Sequence, residues 1–153
     1  LQDVTARKRA EQALADAQAR LSRAVRGTSD GLWELEYATG RIWFAPRVAE
    51  QLHYAPGLLP TTSEGFLRLV HDDDRGTLSA AMRNHVATGA PYDVEYRVRD
   101  GHGDWQWIRA RARAERTNGS GPLIVAGSMQ LVTDRRREAE ELRRAREVAE
   151  LAS

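Results

Sequence analysis

The sequence predicts an α+β domain framed by two charged helices, and three observations carry that prediction. Five short stretches alternate apolar and polar residues with the period of two expected of half-buried strands. Short helical runs and one longer helix separate the first two of these strands from the last three. The two ends nearly repeat: Gln2-Asp3-Val4-Thr5-Ala6-Arg7-Lys8-Arg9 returns loosely as Gln130-Leu131-Val132-Thr133-Asp134-Arg135-Arg136-Arg137, an offset of 128 that also aligns Leu14 with Leu142. A fixed internal period marks a modular array. Each copy reads as a strand-like end running into a charged helix. One module, residues 26–134, is therefore expected between a linker helix over 1–25 from a preceding module and its own exit helix over 135–153.

Taken in order, residues from Gln2 to about Val25 hold no Gly or Pro, and Ala10, Leu14, Ala17, Leu21 and Ala24 fall at the a/d spacing of a coiled coil. Arg26-Gly27-Thr28-Ser29-Asp30-Gly31 breaks the helix. Trp33, Leu35 and Tyr37 alternate with Glu34 and Glu36 in a first strand, and Ala38-Thr39-Gly40 turns the chain into Arg41-Ile42-Trp43-Phe44. Short helices are expected from Pro46 to the region 66–70, interrupted at Pro56-Gly57 and Pro60. Asp74 is a plausible N-cap for a longer helix over 75–87 that ends at Thr88-Gly89.

Tyr92, Val94, Tyr96 and Val98 then alternate with charged residues, Asp100-Gly101-His102-Gly103 turns, and 105–115 forms the next strand. Asn118-Gly119-Ser120-Gly121 is a hairpin turn before a last strand over 123–133. The final helix, 134–152, carries Glu138, Leu142, Ala145, Ala149 and Ala152 in the heptad phase of the first, with Glu138 weakening the seam. Leu14, Leu21 and Leu142 are the residues through which these helices would hold a homodimer.

Composition bounds the function. A chain of 153 residues with 41% hydrophobic and 29% charged residues is one ordinary globular domain. The net charge of +1 gives no field favouring nucleic acid or an acidic membrane, and neither is expected as a partner. The basic residues are 22 Arg and the single Lys8. The absence of Cys excludes disulfides and thiolate chemistry within the segment. No apolar run approaches the ~20 residues that span a bilayer. A cytoplasmic segment is expected, whether or not the parent protein is anchored elsewhere.

The element order resembles the PAS family. The residues that carry the resemblance are Gly31-Leu32-Trp33, Thr39-Gly40-Arg41, Val70-His71-Asp72-Asp73-Asp74, Glu95-Tyr96-Arg97-Val98, Asp100-Gly101, Trp105-Gln106-Trp107-Ile108 and the Val132-Thr133 exit. It covers about residues 26–134 and is closest to the subgroup with an aromatic-rich first hairpin and a C-terminal PAC-type segment. It implies a five-stranded antiparallel sheet with small helices over one face and linker helices near the other. It also implies a sensory or dimerisation module in a bacterial signalling protein, with adjacent PAS and output domains in the same chain. The tail from Ala145 to Ser153 is similar to the run leading into phosphoacceptor helices, which favours a sensor histidine kinase of a two-component system. A cyclic-di-GMP synthase or phosphodiesterase, or a non-catalytic scaffold, are the alternatives. The family's exit motif Asp-x-Thr is kept in Asp3-Val4-Thr5, but Leu131-Val132-Thr133 lacks the Asp.

The candidate sites follow from residue type and position. His71 with Asp72–Asp74 could suit a metal, but four consecutive loop residues rarely converge on one ion, and helix initiation is the better reading; no metal is expected. His53 and His85 are misplaced for the haem ligand of oxygen-sensing relatives, since the matching position lies near Leu78. Cysteinyl-flavin photochemistry needs a Cys that this chain lacks, so no cofactor is predicted and an unidentified small ligand stays open. On the strand over 105–115, Ile108, Ala110, Ala112 and Ala114 share one face, while Trp105, Trp107, Arg109, Arg111 and Arg113 share the other. Burying three Arg would be prohibitive, so the Ala face points inward. Those small residues leave either tight packing or a pocket, for which Trp33, Leu35, Phe44, Leu78, Met82, Tyr96 and Ala110 are lining candidates. The Trp/Arg face needs a cover, either the N-terminal helix or a second subunit. Trp107, Leu131, Thr133 and Asp134 are the expected coupling residues, with packing by Trp107 and Leu131 replacing the missing Asp. No nucleophile–base pair or phosphate loop is visible, and the fragment itself is not expected to be an enzyme.

Overall fold

The computed structural model describes residues 2–26 and 30–153, with side chains from Val4 to Leu21 and from Asp30 onward. The break at Gly27-Thr28-Ser29 and the side chains of Asp3 and Ala24 lie outside the described residues. The elements are α1 (Gln2–Arg26), β1 (Gly31–Glu36), β2 (Arg41–Phe44), α2 (Pro46–Gln51), α3 (Ser63–Leu67), α4 (Asp72–Thr88), β3 (Tyr92–Arg99), β4 (Trp105–Arg116), β5 (Leu123–Leu131) and α5 (Thr133–Ala152). The N-terminal copy of the repeated motif is helical from Gln2, not strand-like as expected. A strand needs a ladder partner, and only the C-terminal copy has one, in β4.

The strands form one antiparallel sheet in the order β2-β1-β5-β4-β3. The chain thus closes its last strand between its first and fourth, so that β5 is central and joins the two hairpins. The period-2 patterns place Trp33, Leu35, Tyr92, Tyr96, Ile108 and Met129 on the inner face, all buried. Helices α2, α3 and α4 lie over that face. Gly31 permits the approach of α2: a Cβ there would stand 2.5 Å from the Val48 side chain. Gly89, at φ +76°, closes α4 in the left-handed conformation that glycine tolerates best.

The start of α4 differs from expectation. The helix begins at Asp72, and His71 caps it, its Nδ1 accepting from the Asp73 N–H at 3.1 Å. Asp74 is not the cap. Its carboxylate reaches across to β3 and accepts from the Arg97 backbone N–H, Nε and guanidinium NH2, each at 2.9 Å. A bidentate Arg with a backbone donor satisfies a carboxylate better than the free N–H groups of a first turn.

Candidate functional site: an apolar cavity and a pinned exit helix

Between the inner sheet face and α3 and α4 lies a cavity of ≈ 220 Å³. Trp33, Leu35, Tyr92, Tyr96 and Met129 form its floor, Phe66 and Leu67 one wall, and Leu78 and Met82 another. Tyr37 and Ile42 of the first hairpin, Ser63 at the start of α3, and Ser79 and Arg83 on α4 also border it. The aromatic groups meet edge to face: Trp33 with Tyr92 at 6.2 Å and Phe66 with Tyr96 at 6.2 Å. Burial pushes the Tyr92 and Tyr96 hydroxyls up from their ordinary range, so both stay protonated.

Five expected lining residues, Trp33, Leu35, Leu78, Met82 and Tyr96, border this cavity, and two do not. Phe44 packs instead on Phe66 at 5.1 Å, on the hairpin side. Ala110 is fully buried under α4, where the alanine strand is closed off by packing rather than hollow. His85 does part of this filling: its Nε2 accepts from the Ala114 N–H at 3.0 Å while Nδ1 meets the Ala90 carbonyl. Both ring nitrogens are therefore engaged with backbone. Tyr92 and Met129 were legible as inward-facing strand positions, but nothing local tells which inward residues border a gap. His53 and His102 stack on each other at 4.6 Å, away from the cavity.

On the outer face the exit helix is pinned to β3 and β4. The Thr133 hydroxyl accepts from the Trp107 N–H at 2.9 Å and donates to the Gln106 side-chain oxygen at 2.7 Å. The Val132 N–H continues the ladder to the Trp107 carbonyl at 2.8 Å. Glu95 on β3 accepts from Arg136 at 2.8 Å and from Arg135 at 3.0 Å. Those hydrogen bonds, Arg136 foremost, hold the Glu95 carboxyl below its ordinary range. The Arg136 guanidinium lies 3.6 Å from the centre of the Trp107 ring, and that of Arg97 lies 5.0 Å from it.

Of the residues expected to couple the domain to its exit helix, Trp107 and Thr133 are in direct contact, and the placement of the other two differs from expectation. Leu131 is 37% exposed, so packing by Leu131 does not replace the missing Asp; Glu95 supplies the charged anchor from another strand. Asp134 is exposed on the first turn of α5, one residue after the helix start. On the Trp/Arg face the protein's own arginines, not α1, lie over the tryptophans, and Trp105 stays 37% exposed. Arg99 and His71 lie over Trp105 at 4.7 and 4.8 Å, and Arg109 pairs with Asp93. Every described side chain of α1 is exposed, and Leu14, Leu21 and Leu142 all face solvent.

One route joins the two features. Asp74 opens α4, the helix that borders the cavity, and holds Arg97; Arg97 lies over Trp107; Trp107 carries Arg136, which Glu95 fixes. Glu95 and Tyr96 are consecutive on β3 and point to opposite faces, so the strand that floors the cavity also anchors the exit helix.

This arrangement is that of a sensory domain of the PAS class. The chain belongs to the PAS-fold family, whose pattern it matches over residues 41–129. Among solved structures, a sensory box histidine kinase/response regulator from Burkholderia thailandensis is 36% identical, with a TM-score of 0.72, covering 86% of this chain and 98% of that one. The blue-light-activated histidine kinase of Brucella ovis is 31% identical over 120 residues, 78% of this chain and 24% of the kinase. The uncharacterized protein y4lL of Sinorhizobium fredii is 32% identical over 94 residues, 61% of this chain and 11% of that protein. The chain therefore spans a quarter or less of the length of these curated relatives, and it is a PAS domain homologous to the sensor domains of histidine kinases. No helix among the described residues is long and apolar enough to cross a membrane.

Proposed function

We propose that this chain is the sensory and dimerisation module of a sensor histidine kinase in a two-component system. Residues 1–25 act as the signalling helix of a preceding module, 26–134 as the PAS unit, and 135–153 as the helix leading to the output. The observation that carries the reading is the shared strand β3: Tyr96 borders the cavity, and Glu95 beside it grips Arg135 and Arg136 of α5. A change in the cavity displaces β3 or α4, and the displacement reaches α5 through Arg97, Trp107 and Glu95. In a dimer, tilting or rotating paired exit helices changes the register of the catalytic unit they feed.

The flanking helices support dimerisation through Leu14, Leu21 and Leu142, which are large apolar residues left exposed in a single copy. Alanine and leucine seams bury little area, so the isolated segment associates weakly and the parent protein supplies more. Sedimentation at rising concentration tests this. A strictly monomeric species at high concentration, unaffected by Leu14→Glu or Leu21→Glu, would rule it out. The light activation named for the Brucella kinases does not extend to this chain by the cysteinyl-flavin route, because it contains no Cys.

The relay is tested in the full-length protein. Thr133→Ala, Trp107→Ala and Leu131→Asp should each shift basal output while the domain stays folded, and double variants at Thr133 and Trp107 should be non-additive because the two are hydrogen-bonded. Wild-type basal and stimulated activity in all three would make the domain a passive spacer.

A further inference from the structure

The outer face of the sheet carries opposite charges on the two sides of its central strand. The cross-strand registers lay out one row as Trp43–Glu34–Ala126–Arg113 and the next as Leu32–Ser128–Arg111. These side chains point away from the face that buries Trp33, Leu35 and Met129. Between Glu34 on β1 and the arginines of β4, the small residues of β5 leave an open trough of ≈ 440 Å³. Neighbouring strands lie about 4.8 Å apart, so the backbones at Glu34 and Arg113 are about 10 Å apart. Both residues are exposed and make no ion pair among the described residues, whereas Arg109 is paired with Asp93. Trp43, beside Glu34, is 53% exposed. No described side chain of α1 covers the trough, since all of them face solvent.

Such a face complements itself in one orientation. A second copy turned about an axis along β5 brings its Arg113 against Glu34 and its Glu34 against Arg113, so the pair forms twice. An axis across the strands sets arginine against arginine instead. With the axis along β5, Leu32 meets the aliphatic stem of the partner's Arg111 in the next row. Ala126 and Ser128 lie on the axis, where two sheets packed about 10 Å apart leave least room. The third row, Glu36–Ile124–Glu115, would oppose like charges and marks the limit of the contact. The rotation preserves the direction of β5, so both copies send α5 out at the same end. Parallel exit helices are what a shared downstream unit requires.

Building on the dimerisation reading above, we propose that the outer sheet face docks a second copy of this chain about a two-fold axis along β5, with Glu34 and Arg113 paired between copies. Two rows of contact bury little area, so the sheet fixes orientation and register while the helix seams add affinity.

Sedimentation equilibrium of the 153-residue chain tests the proposal. Glu34→Arg and Arg113→Glu, both at exposed positions and checked for folding by circular dichroism, should each weaken self-association at least about tenfold. An equimolar mixture of the two variants should recover it, because one then carries two positive groups and the other two negative ones. Ala126→Cys, which places a single thiol at the axis of a chain without Cys, should cross-link to its own copy with a short bis-maleimide. Charge variants that associate like the wild type, or a mixture that does not recover, overturn the sheet contact. If Leu14→Glu or Leu21→Glu then dissociates the dimer, the helix-borne dimerisation reading stands without it. A thiol at position 126 that is shielded in a monomer and never cross-links assigns the trough to the chain's own α1 and likewise overturns the proposal.

Discussion

The two ends of the chain carry nearly the same eight residues and use them in opposite ways. Val4 and Thr5 lie exposed on the first turns of α1. Val132 and Thr133 are buried at the junction of β5 and α5, where the threonine hydroxyl joins two residues of β4 and the valine N–H extends the ladder. The difference teaches that the motif is an anchor only when a sheet edge stands beside it. Local sequence supplies a helix-competent basic run at both ends. The pin comes from Trp107, Gln106 and Glu95, which lie 25 to 41 residues away in sequence from the groups they hold and have no counterpart around the described residues of α1.

Matched substitutions at the two ends would break this contrast if it is wrong. The largest effect is expected from Val132→Asp, which buries an unpaired carboxylate and should cost about 3 kcal/mol or more in urea denaturation, while Val4→Asp should stay within about 0.5 kcal/mol. An acid near a helix N-terminus is, if anything, favourable. Thr133→Ala comes next. It strips the Trp107 N–H and the Gln106 oxygen of their partner and should cost about 1–3 kcal/mol, against less than about 0.5 kcal/mol for Thr5→Ala. Equal losses at both ends would show that α1 is anchored as α5 is.

Glu95→Gln sharpens the comparison at the level of charge. Its side chain is 27% exposed, so the loss in global stability should be about 1 kcal/mol or less, but amide exchange over the first turn of α5 should accelerate. The same clamp predicts a pH dependence. The folded carboxyls of Glu95 and Asp74 lie below their ordinary values of 4.5 and 3.8, held by Arg136 and Arg97 respectively. A depressed folded value gives stability that is fully present above the ordinary value and is lost as pH falls through the folded one. Acidification below about pH 4.5 should therefore loosen the α5 start, and the Glu95→Gln variant should lose part of that acid response. The smallest effect is expected from Leu131→Asp, which changes an exposed side chain and should alter stability by no more than about 0.5 kcal/mol.

Much of this fold was legible because its signals are local. Alternation at Trp33-Leu35, Tyr92–Val98 and Ile108–Ala114 named the strands and their inward faces, and Thr88-Gly89 marked the helix end that the positive φ of Gly89 confirms. The candidate site was legible only in part. Leu78, Met82 and Tyr96 border the cavity, but the alanine strand drew attention to Ala110, where α4 packs tightly and His85 spends both nitrogens on backbone. Small residues permit a hollow or close packing equally, and the neighbour that decides is on another element.

The sequence by itself determined most of the secondary structure, the segregation of strands from helices and the identity of the threonine at the exit, because period and turn residues act over a few positions. It did not determine that the first copy of the repeated motif is helical throughout, which depends on the absence of a strand beside it. Tertiary structure alone decided which partner each charge and ring received. Asp74 takes Arg97, 23 residues on, instead of capping its own helix, and Glu95 takes Arg135 and Arg136 across a sheet edge. Trp107 is covered by Arg97 and Arg136 rather than by α1. The reason is the strand order: placing β5 between β1 and β4 brings the exit helix onto β3 and β4, and no residue spacing within one segment encodes which strand will stand next to it.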